Sequence, residues 1–132
     1  MSTEAIIAAW LTDSTIAALV GTRVALHEIP QDTAYPNIVY TVLSVVPDPL
    51  VAYQTGAQRA WARVQINPQA LTLTEVLSIH DVIRTLMDFK HTVTIGGKAI
   101  VTSRLDTSGS VSKDVATLVW TKPVDYKIYH YE

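Results

Sequence analysis

Hydrophobic and polar positions along the chain change period several times, and each change marks an element. Ile6, Ile7, Trp10 and Leu11 fall on one side at helical spacing, which predicts a first helix from Thr3 to about Leu11, with Ser2 or Thr3 able to cap its start. Asp13 or Ser14 can cap a second short helical stretch through Ile16, Ala17, Leu19 and Val20, and Gly21 can take the left-handed conformation that ends it. Strand patterns follow. Arg23 to Ile29 reads as a first strand stopped at Pro30, and Asn37 to Val46 as a second, apolar on both faces as a central strand, or one covered by a partner, would be. In that second strand Ile38, Tyr40 and Val42 share one side, and Val39, Leu43 and Val45 the other.

Between Pro30 and Pro36 the short segment "PQDTAYP" holds φ at both ends and pushes Tyr35 towards extended geometry, so the second strand begins at a defined residue. Residues 47–56, "PDPLVAYQTG", read as a long exposed loop whose Leu50, Val51 and Tyr53 need apolar cover, from a partner or from their own domain. Gln58 to Asn67 alternates cleanly. Ala60, Ala62, Val64 and Ile66 form a core face, while Arg59, Trp61, Arg63, Gln65 and Asn67 form the other. Two arginines interleaved with a tryptophan suit cation–π stacking and protein interfaces, although the same pattern also fits a solvated strand face.

Thr72 and Glu75 form a capping-box pattern, after which Val76, Ile79, His80, Ile83, Leu86 and Met87 repeat at helical spacing. This predicts a long helix to about Phe89, with its apolar stripe laid on the sheet. His91 to Ile95 and Lys98 to Ser103 flank Gly96 and Gly97 as a hairpin. Thr107 to Lys113, "TSGSVSK", reads as a mobile loop, and Val124 to Tyr131 as a last strand with Tyr126 and Ile128 on one side and Lys127, Tyr129 and Tyr131 on the other. Pro123 interrupts the strand-like "VATLVWTKP", so residues 105–123 have no assigned course.

The length of 132 residues fits one domain, residues 1–132, with 48% hydrophobic and 17% charged residues to build a core. A net charge of −2 and a pI near 6.0 provide no general attraction to nucleic acid or acidic membranes. Without cysteine, disulfides, thiolate metal sites and cysteine nucleophiles are excluded. The start, Met1 to Glu4, lacks the basic region of a signal peptide, and no segment approaches the roughly 18 apolar residues of a membrane span. The expectation is synthesis and action in the cytoplasm.

Catalytic patterns are sparse. Ser78, His80 and Asp81 carry triad residue types but are helix neighbours that point apart. His27, His80, His91 and His130 supply no i, i+4 metal pair, and His80 on an apolar stripe reads as a hydrogen-bonded histidine at the core edge. Gly96-Gly97-Lys98 precedes a strand rather than the helix start a phosphate loop needs. The expectation is a compact domain with no enzymatic activity, no cofactor and no metal.

Four pieces in this order resemble the phage tail-completion family, which includes the tail terminators of long-tailed phages and tail-to-head joining proteins. They are the early helices ending "IAALVGTRV" (Ile16 to Val24), the stretch "IPQDTAYPNIVYTVLS" (Ile29 to Ser44), the strand "RAWARVQIN" (Arg59 to Asn67) with the helix "TEVLSIHDVIRTLMD" (Thr74 to Asp88), and the closing "VDYKIYHY" (Val124 to Tyr131). The chain departs from the family's usual look between Leu105 and Pro123. The resemblance implies an α+β fold: a mixed, mainly antiparallel β-sheet with an N-terminal helix and one long helix packed on one face. It also implies a homo-oligomeric ring, typically a hexamer, at the head-proximal end of the tail tube. There the ring would end tube growth and join the head connector, with the tail-tube protein, the connector or neck protein and the tape-measure protein as partners. DNA would pass through without sequence-specific binding, no membrane would be involved, and the protein would reside in the virion tail or neck after assembly in the host cytoplasm.

Alternatives are another neck or head-completion protein, a small α/β enzyme or ligand-binding domain, and a free regulatory protein. A closed ring repeats one heterologous contact, so two different patches must match. Arg59, Trp61 and Arg63 are the candidates for one patch; Leu50, Val51 and Tyr53, or Tyr129 and Tyr131, are the candidates for the other.

Overall fold

The computed structural model describes residues 2–28, 34–47, 59–95 and 97–131. The helices are α1 (Ser2–Trp10), α2 (Ser14–Val20) and α3 (Leu73–Met87); the strands are β1 (Val24–Leu26), β2 (Asn37–Pro47), β3 (Arg59–Ala70), β4 (Lys90–Ile95), β5 (Lys98–Ser108), β6 (Ser112–Lys113), β7 (Trp120–Thr121) and β8 (Val124–Tyr131). They make a mixed α+β fold around an open sheet of order β1-β2-β3-β8-β5-β4, with β7 alongside β3 and β6 on β7. Among the described strands only the β1–β2 pair is parallel.

Local chemistry accounts for the helix ends. The Asp13 carboxylate accepts from the Thr15 backbone N–H at 3.0 Å and caps α2, and Gly21, at φ 62°, ends it. Thr72 Oγ1 accepts from the Glu75 N–H at 3.2 Å, which caps α3 as the sequence predicts. Thr3 does something else. It lies inside α1 and its hydroxyl meets His130 Nε2 at 2.9 Å, tying the first helix to the last strand. His130 Nδ1 lies 2.9 Å from the Tyr131 carbonyl, which can only accept, so Nδ1 carries a proton and donates.

One core cluster joins Ile6, Ile7 and Trp10 of α1, Ile79, Ile83 and Met87 of α3, and the inward residues of β3 and β8, including Val64, Ile66, Tyr126 and Ile128. Each large apolar side chain so buried contributes about 1.5–3 kcal/mol. Ser103 and Tyr126 bring paired polar groups into it. Ser103 Oγ donates to the Met87 carbonyl at 2.9 Å, and the Tyr126 hydroxyl donates to Asp88, whose other oxygen accepts from Arg84 at 2.9 Å. Burial first, and the Asp88 bond second, push the Tyr126 phenol far above its ordinary pKa, so it stays a donor.

Several predicted strands have different limits. The first, expected from Arg23 to Ile29, is only three residues long, because His27 turns left-handed at φ 64°; Ile29 lies outside the described residues. The second runs from Asn37 to Pro47 but carries a bulge between Val42 and Ser44, and the extra residue flips the side-chain phase. Val45 therefore stands opposite inward Ala62 rather than on the side of Val39, and Leu43, Val45 and Val46 are exposed, so only the first half of the strand is buried.

The third strand continues through Pro68 to Ala70. Pro68 lies between the last β8 partner, at Ile66, and the first β7 partner, at Gln69, where a missing N–H breaks no ladder bond on that side.

The segment expected to be a loop from Thr107 to Lys113 is largely paired. β5 extends to Ser108, and β6 joins β7 in a hairpin whose turn is held by Asp114, which accepts from the N–H groups of Ala116 and Thr117 at 2.8 and 3.3 Å. Gly109 donates to the Pro123 carbonyl at 2.8 Å, and a Cβ there would meet Pro123 at 2.9 Å, so only glycine lets the two segments approach. In the β4–β5 hairpin Gly97 has φ 77°, the positive value expected of its turn; Gly96 lies outside the described residues.

Candidate interaction surface

β3 and β8 run antiparallel side by side, and their register brings candidates from distant parts of the sequence together. Arg59 stands opposite Tyr131, Trp61 opposite Tyr129, and Arg63 opposite Lys127. The expectation that Tyr129 and Tyr131 form a second patch is therefore corrected: they belong to the same surface as Arg59, Trp61 and Arg63. Leu50, Val51 and Tyr53 lie outside the described residues.

The aromatic and cationic groups interlock. Trp61 and Tyr129 stack with ring centroids 4.6 Å apart and planes inclined by 26°. Arg104, on β5, lies 5.3 Å from the Trp61 ring centroid, and Arg59 lies 4.7 Å from that of Tyr131 and 5.9 Å from that of Tyr129. Arg59 also donates to the Tyr131 hydroxyl at 2.7 Å. Hydrogen bonding to Tyr129 is the main cause that raises the Arg59 pKa above its ordinary value. The result is an ordered ladder, Arg104, Trp61, Tyr129, Arg59, Tyr131, already in place without a partner. Side chains fixed in this way lose little rotamer freedom on binding.

Around this ladder the surface is cationic. Lys127 stands opposite both Arg63 and Arg104, and Arg63 pairs with Asp106 at 2.9 Å. Ser44 and Val46 of β2 stand opposite Arg63 and Trp61 and complete the wall of a shallow cavity of about 310 Å³ with Arg104 and Lys127. Sequence reasoning missed Arg104, Lys127 and Val46 as members. Lys127 alternates in phase with Tyr129 and Tyr131, a signal that was present; Arg104 and Val46 join only through strand pairing.

The groups with catalytic residue types behave differently. His80 is buried and its Nε2 lies 3.0 Å from Ser108 Oγ, as a hydrogen-bonded core-edge histidine should, while Ser78 is exposed on the helix. Asp81 Oδ1 is 3.7 Å from His80 Nδ1, beyond hydrogen-bond range, so Ser108, His80 and Asp81 do not form a relay. Burial, and then Lys122, lower the His80 pKa and favour neutral imidazole. Among the described residues no three His, Asp or Glu side chains converge to hold a metal, and no single helix is long and apolar enough to cross a membrane.

Comparison with known proteins identifies both the fold and the family. A chain of the virion of a native gene transfer agent particle has the same fold, with a TM-score of 0.72 and 13% identity over 98% of this chain and 97% of that one. A second solved chain superposes with a TM-score of 0.59 and 17% identity, over 100% of this chain and 96% of its own length. No curated protein matches the sequence. The family model for "Tail completion protein gp17" matches residues 4–127, nearly the whole length, and the chain accordingly belongs to the tail completion protein gp17 family of virion structural proteins.

Proposed function

We propose that the protein acts as a single domain, residues 1–132, that assembles into a hexameric ring on the head-proximal end of a phage tail tube. The ring stops tube polymerisation and provides the joint to the head connector. The family match over residues 4–127 carries this reading. The helices form a layer on one face of the sheet, supported by their share in the core cluster and by the Thr3–His130 and Ser103–Met87 hydrogen bonds. That layer leaves the opposite face, where Arg59, Trp61, Arg63 and Tyr131 are part-exposed over the buried Tyr129, as the side proposed to meet another protein.

Arginine and aromatic side chains are enriched in protein interfaces, and this set is fixed before contact. The work is binding rather than turnover. The tail-tube protein, the connector or neck protein and the tape-measure protein are the proposed neighbours, DNA passes through the ring without base recognition, and assembly takes place in the host cytoplasm. Leu50, Val51 and Tyr53 are proposed to extend the contact from the segment after β2.

Electron microscopy of the purified chain mixed with its tail-tube protein tests this reading. Rings seated on one end of each tube, with tube length limited by their addition, are the expected result. A chain that leaves tube ends bare and tube growth unchanged would overturn it.

A further inference from the structure

Arg63, Lys127 and Arg104 stand directly opposite one another on β3, β8 and β5. At the usual strand spacing the row spans about 10 Å. Like charges in opposed cross-strand positions repel, so a sheet does not gain stability from such a row. Asp106 offsets Arg63, but among the described residues neither Lys127 nor Arg104 has a carboxylate partner. The row is adjacent to the stacked Trp61 and Tyr129, a large rigid contact area.

The helices carry the opposite sign. Glu4 in α1, Asp13 at the cap of α2, and Glu75 and Asp81 in α3 face only one helical cation, Arg84, which is already paired with Asp88 at 2.9 Å. Asp13 and Asp81 line one shallow cavity of about 350 Å³, together with Val82 and Leu86 and with Lys90 on its wall. The chain thus separates most of its charge: Arg59, Arg63, Arg104 and Lys127 outnumber Asp106 and Asp125 on the outward sheet face, while carboxylates predominate on the helices. Its net charge of −2 conceals that division.

We infer that the cationic row Arg63, Lys127 and Arg104 of one copy docks on the acidic helical surface around Asp13 and Asp81 of a second copy. This inference rests on the ring reading above and names its repeating contact. Complementary patches on opposite sides of one chain cannot meet within it, but they satisfy one another head to tail between copies, and such a contact closes into a ring when its rotation permits. Opposed charges also select the register of docking, and the contact weakens as salt screens it.

The test measures the solution mass of the full chain, alone and across a salt series. Arg104→Glu with Lys127→Glu reverses the sheet side. Asp81→Lys with Thr85→Lys reverses the helix side while leaving the Asp13 cap in place. Each pair is expected to weaken self-association at least tenfold, with circular dichroism and melting temperature close to those of the parent. All four changes in one chain restore association, and so does mixing the two double variants, which can alternate in an even-membered ring. Association unaffected by either reversal, or lost without rescue in the combined chain, would overturn the inference. So would a parent chain that stays monomeric. Rings that still cap tail tubes while ignoring the charge swaps would remove this contact and leave the tail-completion reading standing; bare tube ends would remove that reading as well.

Discussion

The two sides of β3 and β8 have the same backbone and opposite chemistry. Inward, Ala62, Val64, Ile66, Tyr126 and Ile128 are buried in the core; outward, Arg59, Trp61, Arg63, Lys127 and Tyr129 make a stacked and charged surface. The inward set is held by apolar burial, which is roughly proportional to area and indifferent to direction. The outward set depends on particular partners at particular distances, such as the 4.6 Å Trp61–Tyr129 stack. One side holds the fold together, and the other is the side proposed to meet a partner.

Changes on the inward side should give the largest loss of stability. Ile66→Ala removes a fully buried side chain and is expected to cost about 2–5 kcal/mol, read by denaturant unfolding. A cost below about 1 kcal/mol would show that the core closes around the gap and would blur the contrast. Next comes the polar part of the core. Tyr126→Phe leaves Asp88 with Arg84 alone and should cost about 1.5–3 kcal/mol, since hydrogen bonds to charged groups are worth that much. Thermal melting of the two proteins at neutral pH compares them directly.

The smallest effect on stability is expected outside. Trp61→Ala loses one aromatic stack, worth about 0.5–1.5 kcal/mol beyond its buried area, while its effect on assembly should exceed its effect on folding. Paired measurements of melting temperature and solution mass separate the two. A large stability loss with unchanged assembly would mean that this face serves the fold.

Particular elements show why some of this was legible and some was not. α3 was legible because cap and stripe lie within a few residues of each other, so Thr72, Glu75 and the run from Val76 to Met87 report on one local structure. β3 and β8 were recognisable from alternation alone, which is a property of one strand. The bulge at Leu43 was hidden, because it consists of two residues facing one on a neighbour that the second strand's own pattern does not mention. The β6–β7 hairpin was hidden for a similar reason. Val115 and Leu118 look like strand residues, yet the turn around them is held by the Asp114 side chain.

By itself the sequence determined the helices, the two alternating strands and the absence of cysteine chemistry, since these follow from spacing and composition within short stretches. The four pieces that resemble the tail-completion family were equally open to reading, being ordered segments of one chain. The tertiary structure alone decided that Tyr129 and Tyr131 share a surface with Arg59 and Trp61, and that Arg104, Lys127 and Arg63 form a row. Those relations depend on strand order and register, which are set by how the hydrophobic faces of distant segments align rather than by any segment's own pattern.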